Sequence, residues 1–121
     1  MKAILFVLLG LGLMTTAQAK RPVPVYQPTG EVKSCLNVSQ FDSTRVLDDQ
    51  TIIFKLKNRK LYRNTLPHSC PRLGFHEAFS YEVSGSSLCD VDVIRVFEPH
   101  FQGVTCGLGK FEEVKQVKAA G

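Results

Sequence analysis

The chain has 121 residues, of which 44% are hydrophobic and 21% are charged, and its formal net charge is +4. A chain of this length corresponds to one domain. So small a charge excess does not indicate nucleic-acid binding, which requires a basic stripe with aromatic residues between the cations. The densest basic segment is interrupted by strand-forming residues, so we interpret it as the solvated face of a hairpin. It contains Lys55, Lys57, Arg59, Lys60 and Arg63.

The N-terminus has the pattern of a secretory signal peptide. An uncharged apolar run from Ala3 to Met14 follows Lys2, and Ala17-Gln18-Ala19 supplies the small residues that signal peptidase requires. The run is about a dozen residues long, whereas a membrane-spanning helix needs roughly 20. We therefore expect residues 1–19 to be cleaved, no transmembrane segment to remain, and the mature protein to be periplasmic or secreted.

Proline content divides the exported part of the chain. Residues 20–34 are predicted to be an extended arm, because proline disfavours a helix. Residues 35–114 are expected to form the single domain and residues 115–121 a flexible tail, and we expect the protein to be a monomer. The prolines of the arm are Pro22, Pro24 and Pro28.

All four cysteines lie in the exported part, and an even number in a small secreted chain predicts two disulfide bonds. Spacing alone does not choose among the three possible pairings. We favour the nested arrangement Cys35–Cys106 and Cys70–Cys89, in which the outer bridge ties the beginning of the domain to its end. The sequence has no C-x-x-C pair, the motif that a thiol oxidoreductase usually carries. A zinc site combining His68 with the cysteines is disfavoured, because close pairs of ligands are missing.

Short apolar segments separated by turns predict a mainly β domain. The clearest strand is at residues 51–57, where apolar and polar residues alternate, and residues 60–64 return after a turn at Asn58-Arg59. Residues 91–97 are apolar on both faces, which predicts a central position in a sheet. Further strands are predicted at residues 41–47 and 104–114. The expected fold is a small antiparallel sheet or partly closed barrel with at most short helices, stapled by two disulfides.

Four segments carry a pattern found in a known family. They are Asp49-x-Thr51-Ile52-x-Phe54, Tyr62-Arg63-Asn64-x-Leu66-Pro67-x-x-Cys70-Pro71-x-Leu73, Cys89-x-x-Asp92-x-Ile94-x-Val96, and Cys106-x-Leu108-Gly109-x-Phe111. This pattern resembles the domain of unknown function 6491 family of small exported proteins of Gram-negative bacteria. The resemblance covers about residues 35–114. It implies a periplasmic or secreted bacterial protein and implies no activity.

Few residues are candidates for catalysis. Histidine is the residue type suited to acid–base chemistry near neutral pH, and the chain contains His68, His76 and His100. Asp90 and Asp92 have the spacing of two residues on one face of a strand. Asp90 nevertheless directly follows Cys89, which favours capping or loop solvation in a turn. No G-x-S-x-G, H-E-x-x-H or P-loop motif occurs. The sequence therefore favours a protein that is not an enzyme and holds no cofactor or metal.

The loop around Cys70 is the best candidate for a binding site. Arg63, His68 and Arg72 flank it and could present donors to a carboxylate or phosphate; alternatively they are ordinary surface residues, with Arg63 paired to Asp92. We expect a non-catalytic module that binds an envelope protein, a glycan or a cell-wall component. The alternative is a small hydrolase or enzyme inhibitor with a site across the loop. An enzyme predicts that the candidate histidines and aspartates converge in a pocket, whereas a binding module predicts an exposed apolar patch.

Overall fold

A computed structural model describes residues 24–83 and 85–117 of the chain. The predicted signal peptide lies outside these residues. The fold is mainly β, as predicted, with antiparallel sheets and no closed barrel among the described strands. A 3-10 turn covers Val38–Gln40, and the single described α-helix, α1, covers Leu73–His76. The strands are β1 (Val25–Lys33), β2 (Cys35–Asn37), β3 (Phe41–Asp48), β4 (Thr51–Leu56), β5 (Leu61–Thr65), β6 (Phe79–Tyr81), β7 (Ser87–Cys89), β8 (Val93–Phe97), β9 (Gln102–Gly107) and β10 (Phe111–Val117).

The largest sheet has five strands in the order β1-β10-β5-β4-β3. The predicted hairpin is confirmed as β4 and β5, with Phe54 opposite Tyr62 across the ladder. Successive residues of a strand point to opposite faces, and the face that carries Ile52, Phe54 and Tyr62 packs into the core, where all three side chains are completely buried. We call this the inner face of the sheet and the opposite side its outer face.

The proline-rich segment is extended, as predicted, but it is part of the sheet rather than an arm in front of the domain. Val25–Lys33 forms the edge strand β1 and pairs with β10. An edge position suits Pro28, because a proline has no N–H to donate to a second neighbour. The register shifts between Pro28 and Val32, and Gly30 in this irregularity has a φ of +105°, which favours glycine. The ordered domain therefore begins before Cys35.

The C-terminal end of the domain also differs from the prediction. The segment expected as one closing strand at 104–114 is two strands, β9 and β10, separated by a connection that contains Gly109. Strand β10 continues to Val117, so the first three residues of the expected tail belong to the sheet. Residues 118–121 lie outside the described residues.

Two smaller sheets cover the inner face. One pairs β2 with β7, and the other has the order β6-β8-β9. Aromatic rings pack between the layers. The ring centroid of Phe54 in the large sheet lies 6.2 Å from that of Phe79 in β6, and the centroids of Phe41 and Tyr81 lie 6.1 Å apart. The predicted central strand β8 does lie between two neighbours. Only Ile94 and Val96 face the core, however, and Val93 and Phe97 point outward.

The disulfide pairing that we favoured is wrong. The structure joins Cys35 to Cys89 and Cys70 to Cys106, so the two bridges cross instead of nesting. The first bridge follows from strand pairing, because Cys35 and Cys89 are directly opposite each other on β2 and β7 with their Cα atoms 4.0 Å apart. The second ties the loop before α1 to β9. Within the described residues, no helix is long and apolar enough to cross a membrane.

Candidate interaction surface at the Cys70 loop

The three predicted binding residues lie in three different environments. Arg63 is on the outer face of β5, where its guanidinium lies 2.8 Å from the Glu112 carboxylate of the neighbouring strand rather than pairing with Asp92. Arg72 pairs with Glu98. His68 is exposed and lines a cleft of about 260 Å³ beside the Cys70–Cys106 bridge, and neither arginine is part of the walls of that cleft. The structure therefore does not unite the three residues in one anion site.

Hydrogen bonds from the turn between β3 and β4 hold the Cys70 loop in place. Gln50 and Leu66 exchange two hydrogen bonds, one through the side-chain amide of Gln50 and one between backbone groups, both 2.8 Å long. The Cys70 N–H donates to the Asp49 carbonyl at 2.7 Å, and the Asp49 carboxylate accepts the Gly74 N–H at 2.7 Å. This carboxylate satisfies a free donor of the first turn of α1, which is the role of a helix cap.

Close packing reinforces the same joint. A Cβ on Gly74 would lie 3.0 Å from the Asp49 carboxylate oxygen and 3.2 Å from the backbone of the turn. Leu73 and Cys70 are completely buried on the other side. The short helix is therefore held by a turn, a disulfide and the core, although four residues are too few to form a stable helix alone.

Glu98 joins α1 to the end of β8. Its side chain is only 7% exposed and lies 3.0 Å from Arg72 Nε and 3.3 Å from His76 Nε2. Arg72 has a φ of +73°, a left-handed conformation that is uncommon outside glycine. The His76 Nε2 atom is buried and makes no hydrogen bond with good geometry to a described residue. A buried carboxylate needs a cationic partner, and Arg72 supplies it.

Three phenylalanines close to these residues in the chain point into solvent. Phe75 is 78% exposed, Phe97 61% and Phe101 65%. The Phe75 ring stacks edge-on against His76, and the Phe97 N–H donates to the Ala78 carbonyl just after α1. Phe101 lies in the turn that follows β8, next to the residue that pairs with Phe97. We call Phe75, Phe97 and Phe101 the aromatic surface.

The candidate catalytic residues have separate contacts. Asp90 lies 2.7 Å from Lys110 Nζ, and the Asp92 carboxylate accepts the Cys89 N–H at 2.7 Å within the turn before β8. His76 contacts Glu98, and His100 is exposed in the turn after β8. In the described part of the chain, no three His, Cys, Asp or Glu residues are close enough to hold a metal ion.

Two parts of this surface were not found from the sequence. Glu98 lies between a strand residue and a proline, and nothing in its neighbourhood marks it as the partner of Arg72. The exposure of Phe75 and Phe97 also escaped notice, since isolated phenylalanines in a small domain are normally assigned to the core. Comparison with models of known protein families, with curated proteins and with solved structures gave no significant match.

Proposed function

We propose that the protein is a small exported protein of the cell envelope that acts as a non-catalytic binding module, and that the aromatic surface is its contact for another envelope protein. The observation that carries this proposal is the exposure of Phe75, Phe97 and Phe101 on a part of the fold that is held rigidly. Exposed apolar groups of this size on a small domain are typical of interaction sites.

The energetics support a protein partner. Aromatic side chains bury 150–250 Å² each, so covering three of them at about 25 cal/mol per Å² favours association by roughly 10 kcal/mol before the entropic cost of binding. Because the Asp49 cap, the Cys70–Cys106 bridge and the Glu98 junction already hold the backbone at Phe75 and Phe97, little ordering entropy remains to be lost there. Preorganised aromatic anchors are the usual hot spots of protein interfaces.

Three observations support the location. Residues 1–19 have the pattern of a cleaved signal. The two disulfides suit an oxidising compartment, where such bonds persist. The resemblance to an exported bacterial family points to the same compartment. The separate contacts of the histidines and aspartates favour binding over catalysis, because general acid–base chemistry needs groups that converge on one substrate atom.

The proposal is tested by partner capture with matched variants. The mature domain and a Phe75→Ser/Phe101→Ser variant are used to capture proteins from an envelope extract, and the recovered protein is then purified and titrated against both. We expect the double variant to bind at least a hundredfold more weakly while its thermal unfolding is unchanged. Val91→Ser is the control, because Val91 is 84% exposed but lies in the turn before β8, at the end of that strand opposite to Phe97.

Two outcomes would overturn the proposed function. One is a partner that binds the double variant as tightly as the native domain. The other is turnover of a cell-wall or peptide substrate that is lost in His68→Ala, which would make the protein an enzyme with a site at the cleft beside the Cys70 loop.

A further inference from the structure

The outer face of the five-stranded sheet collects a group of cations. Strand register places Arg45 opposite Ile53, and Ile53 opposite Arg63, in one row across β3, β4 and β5. Lys55 lies two residues further along β4 on the same face, and Lys57 and Arg59 follow in the turn to β5. We call Arg45, Lys55, Lys57, Arg59 and Arg63 the cationic face.

Most of these charges are not neutralised within the domain. Arg63 is paired with Glu112, whereas the other four cations form no salt bridge to a described residue. All four are exposed. Arg45 and Lys55 lie at diagonal positions on the adjacent strands β3 and β4, about 7 Å apart, and Lys57 and Arg59 continue the positive charge into the turn after β4, so their fields add.

The concentration is notable because the domain as a whole is balanced. Of the 15 Lys and Arg residues, four lie outside the described part of the chain, which leaves 11 to match the 11 Asp and Glu residues, all of them described. An excess of positive charge on one face therefore means an excess of negative charge elsewhere. The domain is electrically polar, and this polarity gives it a preferred orientation near a charged surface.

The cationic face is also open and broad. The other sheets pack against the opposite, inner face of the large sheet, where the core cluster lies. Ile53 and Val114 on the outer face are 3% and 4% exposed although they lie outside that cluster. Lysine and arginine side chains can lay their apolar stems over such groups while the charged heads stay in solvent.

We propose that the cationic face docks the protein onto the surface of a bilayer rich in anionic phospholipid. Charge complementarity carries the proposal: several unpaired cations on a flat sheet meet a plane of phosphates, to which each Lys or Arg contributes roughly a fivefold gain in affinity. A planar surface fits better than a single polyanionic strand, since the unpaired cations spread over β3, β4 and the turn to β5 instead of lining one groove. The proposal is independent of the proposed function.

This docking has a consequence for geometry. Phe97 belongs to the outward side of the β6-β8-β9 sheet, which packs on the inner face of the large sheet. The cationic face is on the other side of the same two-layer fold. A domain that rests on lipid through the cationic face therefore keeps Phe97 turned away from the membrane, where a second protein can reach it.

The test is co-sedimentation with vesicles. The mature domain is mixed with vesicles of phosphatidylcholine alone or with 30% phosphatidylglycerol, at 50 mM and 500 mM salt. We expect binding to the anionic vesicles at low salt, little binding to the neutral ones, and loss of binding at high salt, because the Debye length falls from about 13 Å to about 4 Å. A Lys55→Gln/Arg59→Gln variant should bind roughly 25-fold more weakly.

The control variant removes the same two residue types elsewhere. Arg95→Gln/Lys115→Gln changes the net charge equally, but Arg95 lies on β8 and Lys115 alternates to the inner side of β10, and both are exposed. It should lose no more than about threefold in affinity, which distinguishes a specific face from net charge. Equal losses in the two variants, or equal binding to both vesicle types, would overturn the proposal. So would binding of dissolved heparin without binding of anionic vesicles, which would indicate a polyanion as the partner.

Discussion

Asn64 and Gly109 hold each other through two hydrogen bonds at the end of the β5–β10 ladder. The Asn64 side-chain amide donates to the Gly109 carbonyl at 2.7 Å, and its oxygen accepts the Gly109 N–H at 2.8 Å. Asn64 is the one completely buried polar residue of the described core. Its side chain replaces a backbone partner where the chain turns from β9 into β10, so no polar group of the amide is left unsatisfied.

We predict that Asn64→Leu destabilises the fold by about 2–4 kcal/mol. The substitution keeps the number and branching of the side-chain heavy atoms but leaves the N–H and carbonyl of Gly109 without partners in a buried place. Urea unfolding followed by far-UV circular dichroism measures the change. Asn58→Ala is the control, because Asn58 also accepts a backbone N–H, from Lys60, but is exposed; it should lose less than about 1 kcal/mol. Equal losses would contradict the role assigned to Asn64.

A substitution at Gly109 tests the same Asn64–Gly109 contact. A Cβ at this position would lie 2.2 Å from the Thr65 carbonyl oxygen, whereas a Cβ at Gly107 would meet nothing within 4 Å. We therefore expect Gly109→Ala to be destabilised by more than about 2 kcal/mol, since a backbone oxygen cannot move aside without breaking the ladder. Gly107→Ala should remain within about 1 kcal/mol of the native protein. A Gly109→Ala protein of native stability would show that the connection is loosely packed.

The sequence predicted local strand pairs of this fold but not the pairs between distant strands. Alternation of apolar residues predicted the β4–β5 hairpin, because Ile52 and Phe54 face a core on one side only. The same reasoning could not find β1, whose paired residues on β10 lie roughly 80 to 90 residues downstream and whose proline and glycine resemble those of a linker. Local pattern reports on local structure, whereas pairing between distant segments depends on the sheet order.

The predicted disulfide pairing was wrong for the same reason, because it too depends on which distant strands pair. Cys35 meets Cys89 only because β2 pairs with β7, and strands of three residues are too short to show an alternation. Two of the three predicted binding residues form salt bridges instead, Arg63 with Glu112 and Arg72 with Glu98. A single sequence does not mark such long-range partners, so the aromatic surface and its support could be recognised only from the packed fold.

The two disulfides should differ in their accessibility to reductant. Cys35 is exposed, whereas Cys70 is completely buried. In native buffer with a mild reductant, followed by alkylation and peptide mapping, we expect Cys35 and Cys89 to be labelled first and Cys70 and Cys106 only as the domain unfolds. Non-reduced mapping should recover the crossed pairs. Peptides linking Cys35 to Cys106 would contradict the fold, because those residues belong to different sheets.

Removing either bridge by paired Cys→Ser substitution should destabilise the domain by about 3–4 kcal/mol, since the sequence separations of 54 and 36 residues correspond to similar losses of chain entropy. The Cys70/Cys106 variant should lose more than the Cys35/Cys89 variant, because it also places a polar hydroxyl in the core at position 70. Thermal unfolding under identical conditions gives the comparison. The reverse order would show that the β2–β7 pair limits stability.

Glu98 is predicted to be the support of the aromatic surface. Glu98→Ala removes the partner of Arg72 and leaves that cation and His76 beside an empty space, which should lower stability by about 1–3 kcal/mol. Amide hydrogen exchange should rise at α1 and at Phe97 while the five-stranded sheet stays protected. Glu82→Ala, at an exposed position, is the control. Unchanged exchange at α1 in the Glu98 variant would show that the Asp49 cap alone holds the helix.

Ionisation of Tyr62 should lower the stability of the fold at alkaline pH. Its side chain is completely buried, and its hydroxyl donates to Glu31 Oε1 at 2.9 Å. Burial, followed by the hydrogen bond and charge of Glu31, raises the pKa of Tyr62 from 10.0 to about 12. Both the folded and the unfolded chain hold the phenol proton below pH 10, so stability from this group is complete there. As the pH rises from 10 towards 12 the unfolded chain releases the proton first, and stability falls.

We therefore expect the free energy of unfolding to fall by about 2 kcal/mol between pH 10 and pH 12 through Tyr62. Urea titrations at pH 8, 10 and 11 should show a steeper alkaline loss in the native protein than in Tyr62→Phe, which has no phenol to ionise. Tyr26→Phe, on the edge strand β1, controls for the loss of a tyrosine and should keep the native pH dependence. Parallel alkaline curves for the native protein and Tyr62→Phe would show that the Tyr62 hydroxyl is accessible to hydroxide in the folded state and that the Glu31 contact does not protect it.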